Sequence, residues 1–230
     1  MADRLMRTRL LFGDENVKKL QQSCVMVIGC GAVGSYTIES LARAGIGHLK
    51  LVDFDAVEES NINRQLFALQ STIGTKKVQV ALDRTNDISP DIKVDIYDTF
   101  LDKKNASDLI SDVDFVVDAI DSRNSKIAIY QVCQEKKIPF ISSMGAARRT
   151  DASKISVDLM KNTTVCPLAS VLRKMCKANN ISMDFPVVFS TEIPVKAIDE
   201  NRQMGSLSTI TGIFGLTIAN YVIGQIIKIS

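Results

Sequence analysis

The chain has 230 residues, of which 46% are hydrophobic and 23% are charged, and this composition excludes a largely disordered protein. Its formal net charge of +2 neither requires nor excludes a nucleic-acid partner, since the distribution of charge matters more than its total. At roughly 150 residues per domain, the length predicts one large domain or one domain with an appended lobe.

The five cysteines are Cys24, Cys30, Cys133, Cys166 and Cys176. No two of them form a C-x-x-C pair, which argues against a structural zinc ribbon and a disulfide framework and is typical of a reducing compartment. Residues 1–16 mix both charge signs and lack the apolar segment of a signal peptide. We therefore expect a cytoplasmic protein.

Apolar runs rich in β-branched residues alternate with helical patterns through the first part of the chain. The predicted strands cover residues 24–29, 48–53, 93–97, 114–120 and 139–143, and the predicted helices cover residues 33–45, 75–88, 105–111 and 125–136. Asn105 is a candidate N-cap of the third helix. This alternation predicts an α/β fold, a doubly wound, Rossmann-like, mostly parallel sheet with helices on both faces.

The pattern changes near Met144, so we divide the chain into a Rossmann-like domain of residues 1–144 and a C-terminal lobe of residues 145–230 that continues the sheet. The lobe has predicted strands at 154–160 and 185–191, and predicted helices at 167–180 and 208–228. The last helix is apolar over nearly the length of a membrane span. Its glycines, Asn220 and Gln225 favour a buried helix, with peripheral membrane association as the alternative.

The stretch GCGAVGS, residues 29–35, places the motif G-x-G-x-x-G between a predicted strand and a predicted helix. Gly29, Gly31 and Gly34 would permit a tight turn and close approach of a ligand to the backbone, and the helix N-terminus offers unpaired N–H groups to an anion. Asp53 ends the next strand, where a carboxylate can accept hydrogen bonds from ribose hydroxyls. These features fit a nicotinamide-dependent oxidoreductase as well as any other nucleotide-binding protein. Glycines that serve only helix–strand packing are the alternative.

The hexapeptide SNINRQ, residues 60–65, favours triphosphate chemistry. Arg64 and then Lys77 follow the second predicted strand, and we therefore expect both at the carboxyl edge of the sheet. A reaction that breaks a triphosphate needs cationic side chains, because charge moves onto the leaving pyrophosphate. A guanidinium binds phosphate oxygens at two points, and an ammonium acts as a point charge. Either residue alone would be an ordinary surface charge, but with the glycine motif they indicate phosphate chemistry.

Asp121, in DAIDSRNSK, lies just past the predicted strand 114–120 and again at the carboxyl edge. A carboxylate beside a triphosphate is electrostatically favourable only if it carries Mg²⁺. The alternative is that Asp121 caps the following helix, and the two roles are compatible.

These motifs together resemble the ATP-dependent adenylyltransferases related to the ubiquitin-activating enzyme, over about residues 7–144. The resemblance rests on the glycine motif, DFD, SNINRQ, KKV and DAIDS. It implies that ATP and Mg²⁺ bind here, that Arg64, Lys77 and Asp121 are catalytic, and that Asp121 holds the metal. The nucleotide-binding residues that it implies are Gly29, Gly31, Ala32, Gly34, Asp53, Asp55, Asn61, Arg64, Lys77, Asp121, Ser122 and Arg7.

Within that set, the resemblance implies that Asp53 holds the ribose and that Asn61 helps to arrange the phosphate site. In homodimeric members of the family an N-terminal arginine reaches the ATP of the partner subunit. Arg7 is the first candidate for that role and Arg9 is the second, so a homodimer is expected.

Further stretches are similar to the tRNA threonylcarbamoyladenosine dehydratases, and this closer resemblance covers almost the whole chain. They are RTRLLFG, ARAGIGHLKLVD, IPFISSMGAA, TVCPLASVLRK and VVFSTEIP. The resemblance implies ATP-dependent cyclisation of threonylcarbamoyladenosine, next to the anticodon of a tRNA, through a carboxyl-adenylate intermediate. The implied partners are tRNA, a second copy of the chain and a sulfur-relay protein, with no role for DNA.

Two other functions stay open. The first is adenylation of the C-terminal glycine of a small ubiquitin-like sulfur-carrier protein, although relatives of that kind commonly carry paired C-x-x-C zinc ligands, which this sequence lacks. The second is a nucleotide-binding sensor or scaffold without turnover, which would seldom need Arg64, Lys77 and Asp121 together.

Protein nucleophiles have little support in the sequence. His48 is the only histidine and stands at a strand start, where packing is the expected role. Cys166 precedes a predicted helix whose N-terminus would activate a thiol, but no base accompanies it. The basic residues that would contact tRNA phosphates are Arg148, Arg149, Lys154, Lys161, Arg173, Lys174 and Lys177.

Overall fold

The computed structural model of the chain describes residues 3–196 and 204–228. Its helices and strands run in the order α1 (Met6–Gln22), β1 (Cys24–Ile28), α2 (Gly34–Ala44), β2 (His48–Asp53), α3 (Lys77–Ile88), β3 (Lys93–Asp98), α4 (Ala106–Leu109), β4 (Phe115–Asp118), α5 (Arg123–Glu135), β5 (Phe140–Ser143), β6 (Ile155–Leu159), α6 (Pro167–Ala178), β7 (Pro186–Ser190) and α7 (Ser208–Ile227). The predicted helices and strands are all present, with ends that differ by a few residues.

The seven strands form one sheet in the order β3-β2-β1-β4-β5-β7-β6. Neighbouring strands pair in parallel from β3 to β7, and β6 runs antiparallel to β7. The predicted doubly wound, mostly parallel α/β fold is therefore confirmed. The chain leaves β1 toward β2 on one side and later returns to β4 on the other side, which creates the crevice where sheets of this kind bind ligands.

Alternate residues of the central strands face opposite sides of the sheet. In β1, Val25 and Val27 belong to a core shared with α2, α3 and α7, whereas Met26 and Ile28 belong to a second core shared with α5 and α6. Helices therefore cover both faces. This double burial explains why the central strands are continuous apolar runs in the sequence, as is typical of parallel strands.

Asn105 stands at the N-cap position of α4, but its side chain does not cap the helix. Its Oδ1 accepts the N–H of Asp102 and its Nδ2 donates to the carbonyl of Phe100, both at 2.9 Å. The predicted capping contact is therefore wrong, because the preceding turn takes the same amide group.

The proposed domain boundary at residue 144 falls directly after β5. Beyond it, β7 pairs with β5 and β6 pairs with β7, so the strands of the C-terminal lobe extend the same sheet. The division of the chain into two domains stays a prediction.

By length and composition alone, α7 could cross a membrane. It packs against α2, however, and Ile210 and Phe214 are fully buried. Thr37 Oγ1 donates to the carbonyl of Gly215 at 3.1 Å, and an added Cβ at Gly215 would lie 2.4 Å from the carbonyl oxygen of Val33. About half of α7 is buried, so the predicted burial of the C-terminal helix is confirmed for the side that packs on α2, while a cytoplasmic location and membrane association stay predictions.

We predict that Gly215→Ala lowers the free energy of unfolding by about 1–3 kcal/mol, because the new methyl group would meet the backbone of Val33 and force α7 away from α2. Urea unfolding followed by circular dichroism measures the change. Gly205→Ala is the matched control, since a Cβ there would meet nothing within 4 Å. Equal unfolding midpoints for the two variants would contradict this account of the helix contact.

Candidate active site

The ends of β1, β2 and β4 meet at the carboxyl edge of the sheet, where β1 lies between the other two strands. The glycine loop follows β1, Asp53 ends β2, and Asp121 comes shortly after β4. α2 begins at Gly34, at the end of the glycine loop, and no side chain caps its N-terminus. Ser35 N–H donates to the carbonyl of Gly31 at 2.9 Å and Thr37 N–H donates to that of Val33 at 3.1 Å. The N–H groups of Gly34 and Tyr36 have no acceptor among the described residues, so they can bind an anion at this helix N-terminus.

The three glycines of the motif have different geometric roles. Gly29 has a φ of 97°, and a Cβ there would lie 2.8 Å from the carbonyl oxygen of Ala119, just after β4. A Cβ at Gly34 would lie 1.7 Å from the carbonyl oxygen of Gly29. A Cβ at Gly31 would enter open space, with the amide of Gln65 as the nearest group at 3.8 Å. Gly29 and Gly34 let the chain close on itself, and Gly31 leaves room for a ligand.

Backbone N–H groups hold the carboxylate of Asp53 in place. Its Oδ2 accepts the N–H of Cys30 at 2.7 Å, and its Oδ1 accepts the N–H of Asp55 at 2.9 Å. Each oxygen keeps a further lone pair, so hydrogen bonds from ribose hydroxyls remain available. The carboxylate of Asp55 pairs with Lys77 Nζ at 2.8 Å, and the Lys77 side chain is 9% exposed. The structure thus brings Asp53, Asp55 and Lys77 together beside the glycine loop.

The SNINRQ loop is joined to the glycine loop through the first turn of α2. Ser35 Oγ accepts the N–H of Leu66 at 3.1 Å. One guanidinium nitrogen of Arg64 donates to the carbonyl of Ser60 and to Asn63 Oδ1, both at 2.8 Å. The other guanidinium nitrogens have no partner among the described residues, so they are available to a ligand.

Asn61 is buried and shapes the same loop from inside. Its Oδ1 accepts the N–H of Glu58 at 3.3 Å, which closes a 3₁₀ turn, and its carbonyl accepts the N–H of Arg64 at 3.1 Å. In this structure Asn61 therefore shapes the backbone that carries Arg64, and its role at a phosphate site stays a prediction.

Gln65 is a site residue that the sequence analysis did not single out. It is 8% exposed, and its side chain makes no hydrogen bond within the described part of the chain. Its amide faces the open side of Gly31, where it can donate to an incoming oxygen. The signal in the sequence was its place directly after Arg64 in SNINRQ.

Asp121 is exposed and has no ion-pair or hydrogen-bond partner among the described residues. Ser122 takes the N-cap position of α5, so Asp121 does not cap that helix. Asp121 and Ser122 line a polar cleft of about 480 Å³ with Arg123, Asn124 and Met175.

A divalent metal at Asp121 would need ligands from outside the protein. Residues 3–196 and 204–228 contain no group of three or more His, Cys, Asp or Glu side chains suited to hold a metal ion. Mg²⁺ commonly binds through one or two carboxylates together with phosphate and water oxygens. One free carboxylate at the edge of an anion-binding crevice therefore fits Mg²⁺ that arrives with a phosphate ligand.

Two half-exposed aromatic rings stand beside Asp53. Phe54 follows β2 and Phe100 follows β3, and their ring centroids lie 5.0 Å apart in an edge-to-face arrangement. The residues are 48% and 46% exposed. Such rings offer a surface for a nucleobase. Phe54 lies within the DFD motif, but neither ring was predicted as a site residue, because both stand in loops without hydrophobic periodicity.

An apolar cleft of about 500 Å³ lies at the opposite edge of the sheet, among Phe115, Phe140, Phe185 and Tyr221. It contains none of the predicted site residues. Its lining also lacks a convergent set of charged groups, so the carboxyl edge is the better candidate for chemistry.

Cys166 and His48 do not form a nucleophilic pair. Cys166 occupies the N-cap position of α6 and is 2% exposed, packed 3.6 Å from the position of a Cβ on Gly145. His48 begins β2 at the amino edge of the sheet, where its Nε2 lies 2.8 Å from Asp95 Oδ2. The expected packing role of His48 agrees with this position, and Cys166 is buried without a nearby base in the described part of the chain.

The basic residues expected to contact tRNA do not form one exposed patch. Arg149 is 2% exposed and donates to the carbonyl of Glu192, so it is not available to an RNA phosphate in this structure. Arg173 donates to the carbonyl of Thr163 at 2.8 Å, and Arg148 Nε donates to the carbonyl of Val195 at 2.5 Å. The exposed members of the set are Lys154, Lys161, Lys174 and Lys177.

α1 carries the two arginines expected to act on a partner subunit. Arg9 forms ion pairs with Asp3 at 3.0 Å and with Asp14 at 2.7 Å, which hold its side chain on its own helix. Arg7 has no ion pair with the described residues. The geometry therefore favours Arg7 over Arg9, and the homodimer stays a prediction.

Known proteins are similar to this chain in sequence and in fold. The ThiF family model matches residues 3–229. A Bacillus subtilis protein named tRNA threonylcarbamoyladenosine dehydratase is 36% identical over 204 residues, which cover 88% of this chain and 80% of that protein. The crystal structure of the Escherichia coli tRNA N6-threonylcarbamoyladenosine dehydratase in complex with AMP is 31% identical and covers 98% of this chain and 94% of that one, with a TM-score of 0.94.

The same Escherichia coli protein in complex with ATP aligns with a TM-score of 0.93 at 30% identity, over 98% of this chain and 94% of that one. Family model, relative and solved structures thus agree along nearly the full length of the chain. The chain therefore belongs to the ThiF family, and within it to the group of tRNA threonylcarbamoyladenosine dehydratases.

Proposed function

We propose that this chain is an ATP-dependent tRNA threonylcarbamoyladenosine dehydratase, which cyclises the modified adenosine through a carboxyl-adenylate. The observation that carries the proposal is a set of close contacts at the carboxyl edge. The glycine loop packs closely against Ala119 after β4 and faces the amide of Gln65, and through Cys30 it binds the carboxylate of Asp53. The relationship to dehydratases solved with AMP and ATP supports a nucleotide at this edge.

ATP would lie across the crevice with its phosphates at the N-terminus of α2. Gly31 leaves room for the phosphate chain, and Gln65 and the first turn of α2 would donate hydrogen bonds to it. Asp53 would accept hydrogen bonds from the ribose. The base would rest against Phe54 and Phe100, on the side of the crevice away from β4.

Arg64 and Lys77 would stabilise the charge that develops on the leaving pyrophosphate. Lys77 is paired with Asp55 in the structure, so a triphosphate would compete with that carboxylate for the ammonium group. Arg64 keeps free guanidinium nitrogens and can bind phosphate oxygens at two points. Ala32 in the glycine loop and Ser122 before α5 would add backbone N–H groups.

Asp121 would hold Mg²⁺ through a carboxylate oxygen, because it has no partner among the described residues and directly follows Ala119 and Ile120, which pack against Gly29 of the glycine loop. Oxygens of the phosphates and of water would supply the other ligands. When bound, the ion neutralises phosphate charge at the reacting centre.

The first chemical step is attack by the substrate carboxylate on the α-phosphorus of ATP. An O–P bond forms, the bond from the α-phosphorus to the bridging oxygen breaks, and pyrophosphate leaves with the electron pair. A group of the same side chain then attacks the acyl carbon, AMP leaves with the bonding electrons, and one proton is released. The net result is loss of water from the nucleoside while ATP becomes AMP and pyrophosphate.

Ring closure needs no nucleophile from the protein, because the attacking group is tethered to the adenylate and reacts at high effective concentration. The burial of Cys166 and the position of His48 at the far edge agree with such a mechanism. The chain's own contribution is to bind, orient and stabilise charge.

The tRNA would approach the carboxyl edge from the β5 side, since the nucleoside of ATP would occupy the β2 side. Lys154, Lys174 and Lys177 are exposed and can contact RNA phosphates. A homodimer would allow Arg7 to reach the ATP of the partner subunit. A sulfur-relay protein is a further proposed partner, in a cytoplasmic setting.

We expect that incubation with ATP, Mg²⁺ and tRNA carrying threonylcarbamoyladenosine removes the mass of one water from the nucleoside, with AMP and pyrophosphate formed in equal amounts. Nucleoside mass spectrometry and a pyrophosphate assay measure the two products. A tRNA with unmodified adenosine at that position is the control and should release no AMP. An unchanged nucleoside mass, in a sample that binds ATP, would rule out the proposed activity.

Related assays distinguish the alternative functions. Pyrophosphate exchange that requires a small carrier protein with a C-terminal glycine, and that is indifferent to tRNA, would identify a carrier-activating enzyme. Binding of ATP without turnover of either substrate would identify a sensor or scaffold. Enhanced fluorescence of added NADH would point to a nicotinamide oxidoreductase.

Asp121→Asn keeps the size of the side chain and removes the charge that would hold Mg²⁺. We expect kcat to fall about 10²–10³-fold, while the affinity for metal-free ATP changes by less than about threefold. Asp108→Asn, at an exposed position on α4, is the matched control and should leave both values unchanged. Equal losses in turnover and ATP affinity would favour a role in binding alone.

Gly31→Ala should separate ligand binding from folding. A Cβ there meets no protein atom nearer than 3.8 Å, so the melting temperature should stay that of the wild type, while overlap with the phosphates raises the Kd for ATP about tenfold or more. Gly34→Ala should instead lower the melting temperature, because a Cβ there would lie 1.7 Å from the carbonyl oxygen of Gly29. Calorimetric titration with ATP and thermal unfolding provide both readouts. Wild-type ATP affinity in Gly31→Ala would show that no phosphate passes this face of the loop.

A further inference from the structure

Lys126, near the start of α5, is completely buried, and the chemistry proposed above does not use it. Its Nζ donates to Asp118 Oδ2 at 2.8 Å, to the carbonyl of Ser143 at 2.8 Å and to Ser142 Oγ at 3.2 Å. These three acceptors match the three N–H bonds of an ammonium group. Neither side chain of the Lys126–Asp118 ion pair is exposed at all.

The rest of this network also has its hydrogen-bond partners. Ser142 Oγ donates to Asp118 Oδ2 at 2.5 Å, and the hydroxyl of Tyr130 lies 2.7 Å from Ser142 Oγ. Burial raises the pKa of Tyr130 well above its ordinary value, so the phenol stays neutral. Asp118 Oδ1 accepts the N–H of Ile120 at 3.3 Å.

The network joins two loops that border the crevice. Asp118 is the last residue of β4, and its bond to Ile120 fixes the backbone directly before Asp121. Ser143 is the last residue of β5 and leads into the loop that begins at Met144. β4 and β5 are neighbouring strands. Lys126 therefore connects the end of β4, which leads to Asp121, with the end of β5, on the side where the substrate would approach.

Stability alone does not account for a buried ion pair at this place. Replacing such a pair by apolar groups of similar volume is often neutral or stabilising, whereas removing one partner is costly. Ile129 and Cys133 lie on the same face of α5 and belong to the core, so an apolar side chain at position 126 would continue that core. What the lysine adds is a set of directional bonds between two strand ends.

We propose that Lys126 is a positioning residue for Asp121. Lys126 fixes the end of β4 against the end of β5. In this way it sets the position of the Asp121 carboxylate, which would hold Mg²⁺, relative to the β5 side, where the substrate would approach. The proposal rests on the function proposed above, because it assigns Asp121 to the metal. It concerns geometry, and Lys126 itself touches neither nucleotide nor substrate.

The test compares the single variant Lys126→Met with the double variant Asp118→Asn/Lys126→Met. The single variant leaves the carboxylate of Asp118 buried without its cation, so we expect the melting temperature to fall on the order of 10 °C. The double variant removes both charges and should recover most of that loss. The double variant therefore reports the effect on the position of Asp121 with little contribution from lost stability.

In the double variant we expect kcat to stay about 10–100-fold below that of the wild type, with an increase of about tenfold in the Mg²⁺ concentration for half-maximal turnover. The Kd for AMP without metal should be unchanged. Amide hydrogen exchange, measured by mass spectrometry over residues 119–122, should be faster than in the wild type, because the β4 end has lost its bond to β5. This readout does not depend on activity.

Tyr130→Phe is the matched control. It removes a hydroxyl that is hydrogen-bonded to Ser142 and keeps the Lys126–Asp118 ion pair, so Mg²⁺ dependence and exchange over residues 119–122 should stay those of the wild type. The proposal is overturned if the double variant has wild-type turnover, Mg²⁺ dependence and exchange, or if Tyr130→Phe produces the same changes.

Should the double variant fail to fold, the exchange measurement on Ser142→Ala decides, since this change removes one partner from both Lys126 and Asp118. Faster exchange over residues 119–122 supports the proposal, and unchanged exchange overturns it. A wild-type protein that binds ATP but does not dehydrate the nucleoside would refute the proposed function. The exchange data would still show whether Lys126 fixes the loop before Asp121.

Discussion

The close approach of α2 to the end of β1 determines the geometry of the whole site. Gly34 has no side chain, so the helix can begin against the carbonyl oxygen of Gly29, and the helix N-terminus lies at the crevice, where it can bind an anion. From the same turn, Ser35 binds the N–H of Leu66 and so attaches the loop of Arg64 to the helix. The backbone packing that makes the fold compact therefore also places the anion-binding groups and the nearest cation.

The charged groups of the site differ in how firmly they are held, which suits a reaction in which charge moves. Asp53 is fixed by two backbone N–H groups. Lys77 and Arg64 rest on partners that a phosphate can replace, a carboxylate and a carbonyl, and Asp121 has no partner among the described residues. The rigid group suits recognition of a ribose, and the exchangeable cations suit a pyrophosphate whose charge increases as it leaves.

Much of the fold and part of the site follow from sequence patterns, for physical reasons that also set the limits. Strands buried on both faces, such as β1, are unbroken apolar runs, and this made the order of elements predictable. The pattern could not assign separate roles to the three glycines, because those depend on the path of the chain in space. Nor could it foresee the burial of Arg149, whose partner carbonyl is 43 residues away. The burial of Lys126 could have been predicted from the sequence, since Lys126 and Ile129 are three residues apart and fall on the same buried face of α5.

α7 packs against α2 and supports it, and this contact bears on how the protein folds during synthesis. The bond from Thr37 to Gly215 joins residues 178 positions apart, and contacts of such separation form late, because the entropy of closing the chain is lost before the contact contributes. A nascent chain can pair β1, β2 and β3 early, yet the apolar side of α2 stays uncovered until α7 has left the ribosome. Copies that lack α7 would expose that side to chaperones and proteases, whereas only chains that include α7 present a fully supported nucleotide loop.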